Sequence, residues 1–155
     1  MGSCSKTDLA YIAGFLDGDG SLMMQIKRRN DNGRFRFMLT ICMYQDSRHE
    51  KTLFWMKRKF RIGYISRRND NITELRINGY KQVERILKLL KPYIKFKKIQ
   101  TKILLKSAKI LQKKKISEKD YRILVDNIIL IQSENYVTKR KKTKEELLKV
   151  LELTP

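Results

Sequence analysis

Residues 11–20 read Tyr11-Ile12-Ala13-Gly14-Phe15-Leu16-Asp17-Gly18-Asp19-Gly20, and two periodicities meet there. Upstream, Leu9, Ala10, Ile12, Ala13, Phe15 and Leu16 predict a helix that Thr7 or Asp8 caps and that Gly18 and Gly20 end, near Asp17 to Asp19. Downstream the period changes to two. Leu22, Met24 and Ile26 alternate with Met23, Gln25, Lys27 and Arg29, a half-buried strand with a basic outer face. After the turn Asn30-Asp31-Asn32-Gly33 the alternation resumes, with Phe35, Phe37, Leu39, Ile41 and Met43 on one face, so residues 21–45 form a long hairpin.

Working outward, Ser47 is expected to cap a second helix carrying Leu53, Phe54, Trp55, Met56 and Phe60, with Gly63 just past its end. A second hairpin over about 63–78 turns through Asn69-Asp70-Asn71 and places Ile65, Leu75 and Ile77 inward. From Tyr80 the spacing is helical to about residue 153, interrupted at Pro92, with later helices expected over Glu118 to Ile131 and Glu145 to Leu153. Helix, strand, strand, helix, strand, strand and then helices is an α+β order with one sheet face covered. The 155 residues suit one domain spanning 1–155.

Lys and Arg number 36 against 16 Asp and Glu, a net charge of +20 that repels itself in a small fold unless a polyanion binds, so nucleic acid is the expected partner. The 2 cysteines, Cys4 and Cys42, are too few for a disulfide framework or a zinc site. No apolar run approaches the roughly 18 residues of a membrane span, and the first residues lack the basic and apolar regions of a secretory signal. An intracellular, unsecreted protein with neither membrane nor small-molecule partners is the expectation.

Within the opening stretch, Ala10, Gly14 and Gly18 recur every four residues, a side-chain-poor stripe along which two backbones can approach. Packing of this helix under its own sheet is the competing explanation. If two copies pair, Asp17 and Asp19 of both chains meet near one axis, and such a carboxylate cluster needs cations. A calcium loop counted from Asp17 fails, because its sixth position is Leu22 rather than glycine and its twelfth is Arg28 rather than glutamate.

The decapeptide resembles the LAGLIDADG motif of homing endonucleases at nearly every position. The order of elements, the Gln25-Ile26-Lys27 strand and the Pro92 to Lys97 region are similar to the single-motif, homodimeric, intron-encoded class. The resemblance implies an αββαββα fold with a curved antiparallel DNA-binding sheet and additional C-terminal helices. It implies a helix at about 7–19 that dimerises through Ala10, Gly14 and Gly18. It makes Asp19 the metal ligand, with the Gly18 carbonyl secondary and Asp17 either a ligand or a cap. Gln45 and Lys97 match a family glutamine and lysine around the metal, and His49 stands where an arginine is found in a relative, which leaves its catalytic role open. Mg²⁺ is the implied cofactor, Mn²⁺ is expected to substitute, and Ca²⁺ to support binding without cleavage.

Outward-facing Gln25, Lys27, Arg29, Arg36, Met38, Thr40, Tyr44, Ser66, Arg68, Glu74 and Arg76 suit major-groove reading, since a two-stranded ribbon fits the groove and these side chains complement base edges. Lys139, Arg140, Lys141 and Lys142 form a basic run expected to clamp phosphates without reading sequence. One motif per chain cannot cut two strands, so a homodimer on a pseudo-palindromic double-stranded target is required, with intron homing as the implied role. A maturase or non-cleaving nucleic-acid-binding relative is the alternative. Chloroplast or mitochondrion is the compartment the resemblance suggests.

Overall fold

The chain leaves its first helix and enters its first strand with no linker, and this junction organises everything around it. In the computed structural model, which describes residues 4–135 and 140–154, α1 (Lys6–Asp19) is followed at once by β1 (Gly20–Arg28). A side chain at Gly20 would put its Cβ 2.6 Å from the Leu16 side chain and 2.8 Å from the Leu16 carbonyl, so only glycine lets the strand turn back so closely over the helix. Ser5, not Thr7 or Asp8, is the N-cap: its hydroxyl accepts from the Asp8 amide while the Asp8 carboxylate accepts from the Ser5 amide.

After β1 come β2 (Phe35–Asp46), a 3₁₀ turn at Ser47–His49, α2 (Lys51–Phe60), β3 (Tyr64–Arg67), β4 (Ile72–Asn78), α3 (Tyr80–Leu90), α4 (Lys98–Leu111), α5 (Glu118–Glu134) and α6 (Lys144–Val150). Ser47 does not cap α2, whose N-cap is Glu50 without a side-chain cap bond; Asp46 caps the 3₁₀ turn, its carboxylate accepting from the Arg48 amide. Ser47 instead shares a hydrogen bond with Thr73 at 2.8 Å, which ties the end of one hairpin to the other. The last helix stops at Val150, three residues short of the Leu153 expected from periodicity.

The strands form one antiparallel sheet in the order β1-β2-β4-β3, so the two hairpins join through their second strands. Alternation sends Leu22, Ile41 and Ile77, which sit abreast in register, to the inner face, where all are fully buried against the helices. The inner face and the apolar stripes of α1 to α6 share one buried cluster. The outer face carries no helix from this chain among the described residues, which gives the α+β arrangement with a single covered face.

Ile41 lies on a central strand between two buried neighbours, so Ile41→Ala should lower the stability of the chain by about 2–5 kcal/mol, read by urea denaturation.

Candidate nucleic-acid interface and metal site

Two aspartates end α1, and the fold treats them oppositely. Asp17 is half-buried, and its carboxylate accepts three successive backbone amides from the segment before α4: Lys95 at 2.6 Å, Phe96 at 3.1 Å and Lys97 at 3.1 Å. Three consecutive amides pointing inward make an anion-binding concavity, filled here by a side chain of the same protein. Asp19, two residues on, is exposed and has no hydrogen bond or ion pair among the described residues. The Lys97 ammonium donates to the Asp17 carbonyl at 2.7 Å. Burial pushes it below the ordinary lysine value, and the charges of Asp17 and Asp19 oppose that shift.

Gln45 lies two residues past Met43, the register partner of Gly20, on the sheet face from which α1 arrives. Its Oε1 accepts from the Asp46 amide at 2.8 Å, which leaves its amide nitrogen as a donor. His49 closes the 3₁₀ turn, exposed and without a side-chain hydrogen bond among the described residues. Its neighbour Asp46 is held down at about 2, first by the Arg48 guanidinium and then by the Arg48 amide. Thus Asp19, Gly18 and Lys97 stand together at the end of α1, and Gln45 lies on β2 two residues past the register partner of Gly20. His49 lies farther along the chain from that junction, and Asp17 is committed to the backbone.

The outer sheet face divides into two zones. Toward the hairpin tip, Lys27 and Arg36 are direct register partners, both exposed and neither ion-paired among the described residues, a like-charge pair that is unfavourable until an anion meets it. Gln25 is exposed opposite half-buried Met38. Arg29 is bound within the turn to Asp31 at 2.8 Å. Nearer the centre the polar groups are already paired. Glu74, 5% exposed, accepts from Arg76 at 2.7 Å and Arg68 at 3.3 Å. Buried Thr40 donates to Asn78 at 2.8 Å. Half-buried Tyr44 shares a 2.9 Å hydrogen bond with Ser21, its phenol pushed up to about 12 by burial and so neutral at working pH. Ser66 pairs in register with Glu74.

Lys139 lies outside the described residues. Arg140, Lys141 and Lys142 are exposed, and two side chains not anticipated from sequence anchor the chain around them. Gln132 bonds both the amide and the carbonyl of Lys142 at 2.9 Å, and Asn135 donates to the Leu22 carbonyl of edge strand β1 at 2.9 Å. The basic run is therefore tethered beside the strand that follows Asp19.

The stripe on α1 faces away from the core. Ile12, Ala13 and Leu16 are fully buried, whereas Ala10, Gly14 and Gly18 are exposed, and a Cβ added at Gly14 or Gly18 would meet no surrounding atom within 4 Å. Packing within this chain thus gives no reason for glycine at either place. Large apolar side chains flank the stripe in the open: Tyr11 is 53% exposed, edge-on to Trp55, and Phe96, whose amide binds Asp17, is 84% exposed.

The family model described as LAGLIDADG endonuclease matches residues 12–108, which span the junction, both hairpins and the Asp17-bound segment. The chain belongs to the LAGLIDADG endonuclease family. It is 28% identical over 150 residues to DNA endonuclease I-CreI of Chlamydomonas reinhardtii, covering 96% of this chain and 91% of that one. With DNA endonuclease I-CvuI of Chlorella vulgaris it shares 27% identity over 134 residues, 86% of this chain and 81% of that protein. A crystal structure of I-CvuI with a DNA target in the presence of Mg superposes with a TM-score of 0.76 at 25% identity, covering 95% and 94% of the two chains. An archaeal intron-encoded homing endonuclease complexed with DNA, I-Vdi141I, shares the fold with a TM-score of 0.79 at 20% identity, covering 94% of this chain and 95% of that one.

The donor set of this LAGLIDADG chain fits a hard divalent cation. No group of three His, Cys, Asp or Glu side chains that could enclose a metal occurs among the described residues. A lone exposed carboxylate at Asp19 suits such an ion when water and substrate phosphates supply its remaining ligands.

Because Glu74 is buried between two guanidiniums, Glu74→Ala should cost about 1–3 kcal/mol in urea denaturation, tempered by the partial exposure of Arg68 and Arg76.

Proposed function

We propose that this LAGLIDADG endonuclease binds a long, pseudo-palindromic double-stranded DNA site as a homodimer and hydrolyses one phosphodiester in each strand with Mg²⁺, in the service of intron homing. One observation carries the reading: among the described residues α1 ends on a partnerless carboxylate, Asp19, while its face of Ala10, Gly14 and Gly18 stands bare with no packing neighbour that requires glycine. A second copy packed along that face brings the two Asp19 side chains to one dyad, with one acid for each strand. The DNA complexes of I-CvuI and I-Vdi141I support the partner, and the structures of I-CvuI with Mg and with Ca support a divalent ion.

Asp19 would hold Mg²⁺ against the scissile phosphate, with the Gly18 carbonyl beside it. When bound there, the ion would supply an acidified water and charge neutralisation at the phosphate. The chain's own groups complete the site. The Lys97 ammonium has donors left after its bond to the Asp17 carbonyl and faces developing negative charge, and the Gln45 amide nitrogen orients water or phosphate. Lys27 and Arg36 on the outer face, with Arg140, Lys141 and Lys142 at the edge of β1, meet the phosphate backbone and base edges, and an anion relieves the repulsion between the register partners.

Asp19→Asn should slow cleavage of a selected duplex by more than about 100-fold in Mg²⁺ or Mn²⁺, equivalent to several kcal/mol of lost transition-state stabilisation, and leave Ca²⁺-supported binding in gel shifts intact. Undiminished cleavage by this variant excludes Asp19 as the ligand; specific binding without cleavage by the wild type under any metal favours a maturase or other non-cleaving role.

Gly14→Leu tests the dimer separately. Gly14 has no intrachain neighbour to clash with, and leucine favours a helix interior over glycine by roughly 0.8 kcal/mol, so the variant chain should fold at least as stably yet sediment as a monomer by analytical ultracentrifugation.

A further inference from the structure

Resting on the endonuclease reading above, we infer that Asp17 is a positioning residue rather than a metal ligand: it clamps Lys97 at both its backbone and its ammonium, and so sets where that ammonium stands relative to Asp19.

Asp17 reaches Lys97 from two sides. Its carboxylate receives the Lys95, Phe96 and Lys97 amides, which fixes the segment immediately before α4, and its carbonyl receives the Lys97 ammonium at 2.7 Å. That carbonyl belongs to the last turn of α1, where four carbonyls lack helical partners and a cation is favoured by the helix dipole. A flexible lysine with several rotatable bonds is thereby held at its first atom and its last, which removes much of the side-chain freedom that catalysis would otherwise have to freeze. The clamp joins positions 80 residues apart in the chain, so the end of α1 and the start of α4 keep a common geometry at the site.

The same bonds argue against ligation. Oδ2 of Asp17 already accepts two amides and Oδ1 a third, whereas Asp19 next to it accepts none among the described residues. Turning the Asp17 carboxylate to a cation would give up three backbone hydrogen bonds at once, the one to half-buried Lys97 among them. Asparagine at position 17 keeps one acceptor oxygen but points an NH₂ at an amide hydrogen, so it breaks the side-chain half of the clamp with little change in volume and leaves the carbonyl half in place.

The test is a double-mutant cycle on the full-length protein with Asp17→Asn, Lys97→Met and the pair, using a duplex selected by the wild type. Three readouts apply: single-turnover cleavage across a Mg²⁺ titration, DNA affinity in Ca²⁺, and amide hydrogen exchange at Lys95, Phe96 and Lys97. Each single variant should slow cleavage by about 100-fold, the typical effect of removing one aligned donor from developing charge. The pair should be no more than about 3-fold slower than Lys97→Met alone, because coupled residues are not additive. Asp17→Asn should keep the wild-type Mg²⁺ midpoint and Ca²⁺ affinity while losing exchange protection at the three amides.

A further tenfold loss in the pair, or a raised Mg²⁺ midpoint for Asp17→Asn, would overturn the proposal in favour of ligation or a general folding role. Unchanged protection at the three amides would overturn it as well. Should Asp17→Asn fail to fold, Asp17→Ser, whose hydroxyl keeps one acceptor, enters the same cycle. A wild type that cleaves nothing overturns the endonuclease reading itself, a failure distinct from additive losses in a protein that does cleave.

Discussion

α1 has to satisfy two surfaces at once, and the rest of the structure follows from that. A helix that is apolar around most of its circumference belongs in a protein interior, yet this one is buried on only one side of its own chain. Ile12, Ala13 and Leu16 pay for the attachment to the sheet, while Ala10, Gly14 and Gly18 remain uncovered. Glycine inside a helix is unfavourable by roughly 1 kcal/mol relative to alanine, and no neighbour in this chain requires it. The homodimer proposed above would account for its presence, since a second copy of α1 has the matching surface by symmetry.

The helix–strand junction turns that packing into chemistry. Because Gly20 passes directly over Leu16, Asp19 occupies a fixed place between the end of α1 and the start of β1, and β1 begins the outer face that carries Gln25 and Lys27. Asp19 and the exposed outer face are thus parts of one continuous segment, and in the proposed mode the register of the sheet on DNA would set the position of the cut. Polar groups near the centre of that sheet are already satisfied, as in the Arg68–Glu74–Arg76 group and the Ser21–Tyr44 and Thr40–Asn78 pairs, whereas the hairpin tip keeps free cations. A prepaired central zone is rigid and selective; a zone of unpaired cations adds affinity that salt weakens.

Much of this was legible in the sequence because the deciding signals are local. Alternation of Leu22, Met24 and Ile26 with Met23, Gln25 and Lys27 assigns the sheet faces, and the inward set Leu39, Ile41 and Met43 is the one the structure buries. What escaped depends on distant partners. Ser47 has the composition of a cap but bonds Thr73 across the hairpins, and Ser5 rather than Thr7 or Asp8 starts α1. Glu74 alternates outward as a base reader would, and only the strand register shows it enclosed by arginines. No spacing rule joins Asp17 to residues 95–97 or Asn135 to Leu22, since those hydrogen bonds span 78 to 80 and 113 residues.

Sequencing the ends produced when the wild-type protein and Mg²⁺ act on a randomised duplex library tests the central claim most directly. A homodimer carrying one Asp19 per strand predicts paired cuts at a fixed offset, centred on a consensus with two-fold symmetry. Cuts confined to one strand, or a consensus without that symmetry, would contradict it.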